Sequence, residues 1–169
     1  MSDASYFYKR LIQPFPEEAL STDTSRGFDL TSVKAQYVIE RLNEVFGMAG
    51  WRLTGEYKEV EGGVLYFAEL SVQIGSEVIT YTGEDDDDKT VEAERTELIW
   101  HTVEGVGFSH SKKNVGDTYK SARTDALSKA ASILGVANDV FKGKVKPPSK
   151  GGGGGFKASK PAGYGKFGK

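Results

Sequence analysis

The 169-residue chain is 38% apolar, sets 22 Lys plus Arg against 24 Asp plus Glu, and contains no Cys. A chain of this size supports one domain burying roughly 70% of its unfolded surface, and the missing Cys excludes a disulfide scaffold, thiol catalysis and Cys-ligated zinc. No apolar run reaches the roughly 18 residues of a membrane span, and MSDASYFYKRLIQPFPEE lacks the basic-then-apolar order of a signal peptide, so a soluble cytoplasmic protein without a membrane partner is expected.

Residues 1–30 join Tyr6, Phe7 and Tyr8 to Pro14, Pro16 and a Ser/Thr/Asp-rich connector, and read as an N-terminal segment that packs late or on a neighbouring subunit. From Thr31, read as an N-cap, Ala35, Val38, Ile39, Leu42, Val45 and Phe46 fall on one side of an amphipathic helix that stops at Gly47. Trp51 to Val60, a Gly62-Gly63 turn and Val64 to Ile74 predict a β-hairpin, because Val64, Tyr66, Ala68, Leu70, Val72 and Ile74 alternate with the residues between them. A shorter strand is expected at Glu77 to Thr82, and another from about Arg95 to Val103, closed by Gly105-Val106-Gly107-Phe108. A second helix is expected from about Thr118 to Leu134, stopped by Gly135, and then a brief helical turn from Ala137 to Phe141. The order predicts an α+β domain over 31–141, an antiparallel sheet of a hairpin plus one or two further strands, with a long helix packed on it and an amphipathic helix before it.

Charge divides the chain after Phe141. The body holds 14 basic and 24 acidic residues; Lys142 to Lys169 holds eight Lys, nine Gly, three Pro and no acid. That tail reads as disordered, since it cannot bury enough apolar surface to offset chain entropy. Its lysines and aromatics (Phe156, Tyr164, Phe167) suit a phosphate backbone with unpaired bases, although the composition equally suits a solubilising linker. The run Asp85 to Asp88 reads as a solvated loop, because the calcium-loop pattern fails at Thr90 and Thr96.

Catalytic candidates are few. His101 and His110 share no metal-ligand spacing, and Glu56-Tyr57-Lys58 resembles the acid-x-Lys of Mg²⁺-dependent nucleases without a convincing second acid. No phosphate-binding glycine motif or nucleophile elbow is present. On the second helix Tyr119, Ala122, Ala126, Leu127, Ala130, Ile133 and Leu134 form the expected buried stripe, with Arg123 inside it and Lys129 and Lys120 at opposite edges. A charge in an apolar stripe calls for a partner, for which a buried acid such as Glu69 is the favoured reading. Lys34 and Arg41 share one edge of the first helix.

Ile39 to Trp51, IERLNEVFGMAGW, resembles the helix-to-strand signature of the Rad-fifty-two family of single-strand annealing proteins. Val106 to Ser109 and Tyr119 to Phe141 resemble later stretches of the same family in order and spacing, and the ending LGVANDVF is most similar to phage and bacterial members. The resemblance implies an ATP-independent protein without a cofactor, not an enzyme, that forms rings or helical oligomers, binds single-stranded DNA in a basic groove and pairs complementary strands. It implies single-stranded DNA and further copies of the chain as partners, with a single-strand binding protein or an exonuclease as candidates, in the cytoplasm of a bacterial host. The family's Lys-Arg pair falls on Ser128-Lys129, a third basic position on Ser132, and a first-helix Arg on Val38. Of these only Lys129 keeps a charge, a family outer-groove lysine lies in the loop of Lys112 and Lys113, and Lys120, Arg123, Arg41 and Lys34 complete the expected DNA-binding residues. The alternatives are a non-annealing single-stranded nucleic-acid binder working through its tail and a Mg²⁺-dependent nuclease.

Overall fold

The alternation in Val64 to Val72 gives one apolar sheet face, and the small residues Ala122, Ala126 and Ala130 give a helix face that can approach it closely. In the structure, a computed structural model, these two surfaces meet. It describes residues 4–23, 30–84 and 90–145, so the Asp85 to Asp88 loop and the tail beyond Val145 lie outside the described residues. The elements are α1 (Ala4–Leu11), β1 (Leu20–Asp23), β2 (Leu30–Val33), α2 (Ala35–Phe46), β3 (Trp51–Val60), β4 (Gly63–Glu84), β5 (Thr90–His110), α3 (Val115–Ile133) and α4 (Asn138–Phe141). Strands β3, β4 and β5 form an antiparallel sheet in that order, and β1 pairs with β2 in a separate two-stranded sheet. The α+β class, the hairpin and the long helix on the sheet are as the sequence predicts. No described helix is long and apolar enough to cross a membrane.

Strand β5 continues through the glycines that the sequence reading placed at its end, with Gly105 opposite Ala68 and Gly107 opposite Tyr66. The reason lies in the helix above. A Cβ at Gly107 would strike the Ala122 carbonyl oxygen, and one at Gly105 would crowd Ala126 and Ala130. Glycine here serves close helix–strand approach rather than a turn. Ala122, Ala126 and Ala130 are fully buried along this seam, whereas Ile133, expected in the same stripe, is exposed.

Strands β4 and β5 are also longer than expected. The separate strand foreseen at Glu77 to Thr82 is part of β4, joined through an irregularity between Gln73 and Gly75. Beyond the end of β3 the two strands continue as a two-stranded ribbon, with Val78 and Leu98 exposed.

Helix α2 buries Val38, Leu42 and Val45 in the main core. Its N-cap position is Lys34, not Thr31, which lies in β2, because the segment before the helix pairs with β1. Gly47, at φ 78°, ends it, and the Gly47 N–H donates to the Asn43 carbonyl. Leu11, Ala19 and Leu20, of the segment foreseen as packing late or on a neighbour, share the core of α2, β4 and α3. Helix α3 is N-capped by Asn114, whose side chain accepts from the Gly116 N–H at 2.9 Å.

Gly107→Ala should lower unfolding free energy by about 3 kcal/mol or more through overpacking against helix backbone. The denaturation midpoint at constant slope measures this.

Candidate nucleic-acid interface

Between α3 and the α2–β3 junction lies an open groove of about 670 Å³, lined among others by Met48, Trp51, Tyr57, Tyr119, Lys120 and Arg123. Each wall is fixed by a local interaction. Trp51 Nε1 donates to Asn43 Oδ1 at 2.7 Å, which ties the strand's first residue back to α2. Tyr57 packs against Tyr66 and Tyr119 with ring centroids 4.5 and 4.9 Å apart. The Tyr119 hydroxyl donates to the Glu59 carboxylate. That hydrogen bond holds the Tyr119 pKa above the ordinary tyrosine value, with burial and the Glu59 charge acting in the same direction. Met48 stands at the rim, almost wholly exposed.

Lys120 and Arg123 are the charged side chains that α3 brings to this groove. Both are exposed, and no ion pair involves either among the described residues. The expected pairing of Arg123 with Glu69 does not occur. Glu69 stands opposite Glu104 on the sheet face away from α3, while Arg123 leaves the buried seam on its groove side. Groove and cation are thus positioned by the same helix turn that packs Ala122 and Ala126.

The other expected residues have different surroundings. Arg41 donates to the carbonyls of Arg10, Leu11 and Gln13 at 3.1, 3.3 and 2.7 Å, and its guanidinium lies over Phe15. It satisfies carbonyls at and just beyond the C-terminal end of α1, where the Arg10 carbonyl also accepts from the Gln13 N–H at 3.3 Å. Lys34 Nζ donates to the Glu18 carbonyl at 2.6 Å. Lys112 Nζ donates to Ser121 Oγ at 2.6 Å, and Lys113 is exposed in the same loop. Lys129 lies on the opposite flank of α3. Its Nζ contacts Asp125 Oδ2 at 2.8 Å and the Val106 carbonyl at 3.0 Å, while Asp125 accepts from the Phe108 N–H at 3.0 Å. Together these two side chains occupy backbone groups on the outer edge of β5, blunting it against strand addition. Lys129 also lines a second cavity with Ser128, between α3 and β2.

Sequence reasoning left Tyr57 and Trp51 out of the site and placed Tyr119 in the buried stripe of the second helix. The signal for them is weak, since Tyr57 meets Tyr119 across 62 positions only once α3 lies on the sheet.

Residues 4–80 match the family model described as Rad52/22 family double-strand break repair protein. The matched region spans 77 of the chain's 169 residues. It runs from α1 into β4 and supplies one wall of the groove, including Met48, Trp51 and Tyr57, while α3 supplies the facing wall. No curated protein matches the chain. The Rad52/22 match agrees with the resemblance carried by Ile39 to Trp51, where Asn43 caps Trp51 and Gly47 terminates the helix.

Arg41→Ala should cost about 2 kcal/mol of stability, since it removes the charged donor shared by the Arg10, Leu11 and Gln13 carbonyls. Urea denaturation of the variant, read against Arg41→Lys, measures the loss.

Proposed function

We propose that this protein is an ATP-independent DNA single-strand annealing protein of phage or bacterial type, acting in recombination and repair as a homo-oligomeric ring or filament. The observation that carries the reading is the groove in which Tyr119, Lys120 and Arg123 of α3 face Trp51 and Tyr57 of the region matching the Rad52/22 family model. Cations neutralise phosphates and release counterions, and aromatic faces stack on unpaired bases without demanding a sequence. Pairing two strands needs no bond made or broken; it needs one strand held by its backbone while the charge of the second is screened.

In this reading Lys120 and Arg123 contact phosphate, with Lys113 and Lys112 extending the path past the N-terminus of α3. Lys129, Arg41 and Lys34 act mainly within the fold. Oligomerisation is supported by the ribbon of β4 and β5 beyond β3. A two-stranded ribbon is marginal alone in water, and this one exposes Val78, Tyr81, Leu98 and Ile99.

The test is the rate at which the full chain pairs complementary fluorescent oligonucleotides with EDTA present and ATP absent. The expected result is acceleration over the spontaneous rate. Lys120→Ala combined with Arg123→Ala should weaken single-strand binding roughly tenfold, about 1.4 kcal/mol, and slow pairing with it. No acceleration, or Mg²⁺-dependent degradation of labelled DNA, would overturn the proposal.

A further inference from the structure

The sheet face opposite α3 has a composition that calls for a particular cover. Among the described residues no element overlies it, and Phe67, Val106 and Phe108 are each more than a third exposed. Register places Glu56 beside Phe67 and sets Glu69 directly opposite Glu104. Like charges so placed oppose each other. No ion pair among the described residues involves Glu56, Glu69 or Glu104, and the three border one shallow depression with Phe67 and Val106. Register puts the cations of this face, Lys58 and Arg52, toward its two ends, and the Arg52 guanidinium stacks over Trp100.

A matching cover must bring positive charge together with aromatic groups and few constraints of shape. The 24 residues that follow Val145 have that composition: six Lys, Phe156, Tyr164, Phe167 and no acid. A segment of that length reaches at most about 80 Å when fully extended, against a radius of gyration of about 14 Å for a domain of this size.

We infer that the C-terminal tail docks on this sheet face of its own chain, its lysines on Glu56, Glu69 and Glu104 and its aromatic rings on Phe67, Val106 and Phe108. Edge-on aromatic contacts and lysine over ring faces give the attachment tolerance to register, and charge pairing makes it salt-sensitive. Single-stranded DNA offers the same lysines a denser line of charge, so it displaces the tail from the sheet and takes it up. That displacement rests on the annealing reading; the docking does not.

The chain has no Cys, so Lys169→Cys gives a single thiol for a fluorophore on the full-length protein. At low salt its anisotropy should exceed that of the labelled peptide 146–169 free in solution. It should fall to the peptide value in Glu69→Lys/Glu104→Lys and fall also in Phe67→Ser, each checked for native circular dichroism. Unchanged anisotropy in both variants overturns the docking. Diluting labelled chain into excess unlabelled Glu69→Lys/Glu104→Lys protein should change nothing; a fall would assign the tail to a neighbouring copy and overturn the same-chain assignment. A fall produced only by replacing Asp85 to Asp88 with Asn would move the tail to the acidic loop, with the same consequence. Adding a single-stranded oligonucleotide should release the tail, and failure to release it in a chain that docks refutes the displacement alone.

Discussion

The close approach of α3 to β5 is the constraint on which the rest of the molecule depends. Gly105 and Gly107 remove side chains from the strand exactly where Ala122, Ala126 and Ala130 remove bulk from the helix. A larger residue on either side would lift the helix, open the space over Tyr66 and Ala68, and part Tyr119 from Tyr57. The packing is dense because both partners are small, and it therefore leaves little room to relax.

The same seam divides the charges of α3. At 100° per residue, Lys120 and Arg123 fall on one flank of the Ala122–Ala126–Ala130 row, and Asp125 and Lys129 on the other. One flank opens to an aromatic groove. The other meets the outer edge of β5, where Lys129 and Asp125 occupy the Val106 carbonyl and the Phe108 N–H. Exposed ion pairs of this kind contribute little by themselves, but occupying two backbone groups of a strand edge also disfavours unwanted pairing there. A net acidic body can thus present a basic groove, because its cations are sorted by position rather than by number.

Much of the fold was legible because periodicity is local. The β3–β4 turn at Gly62, the α2 face of Val38, Leu42 and Val45, and the span of α3 all follow from patterns within a few residues. The β1–β2 pair escaped notice because each strand has four residues and almost no alternation. The glycines of β5 read as an ending because their purpose lies in a helix that begins later in the chain. For the site, Lys120 and Lys129 were visible at opposite edges of the helix, but the groove belongs to one edge alone. Arg41 and Lys34 read as DNA-binding residues on one edge of the first helix, since nothing local reveals that carbonyls of the N-terminal segment are their partners.

The central claim is that the groove flank of α3, not its strand-edge flank, meets the phosphate backbone. The most direct measurement is the salt dependence of single-stranded DNA affinity for the full chain and two variants. Each lost phosphate contact reduces the slope of log K against log salt by about 0.7 for single strands, so Lys120→Ala/Arg123→Ala should lower it by about 1.4. Lys129→Ala should leave the slope unchanged. A slope that falls for Lys129→Ala and holds for the double variant would contradict the account.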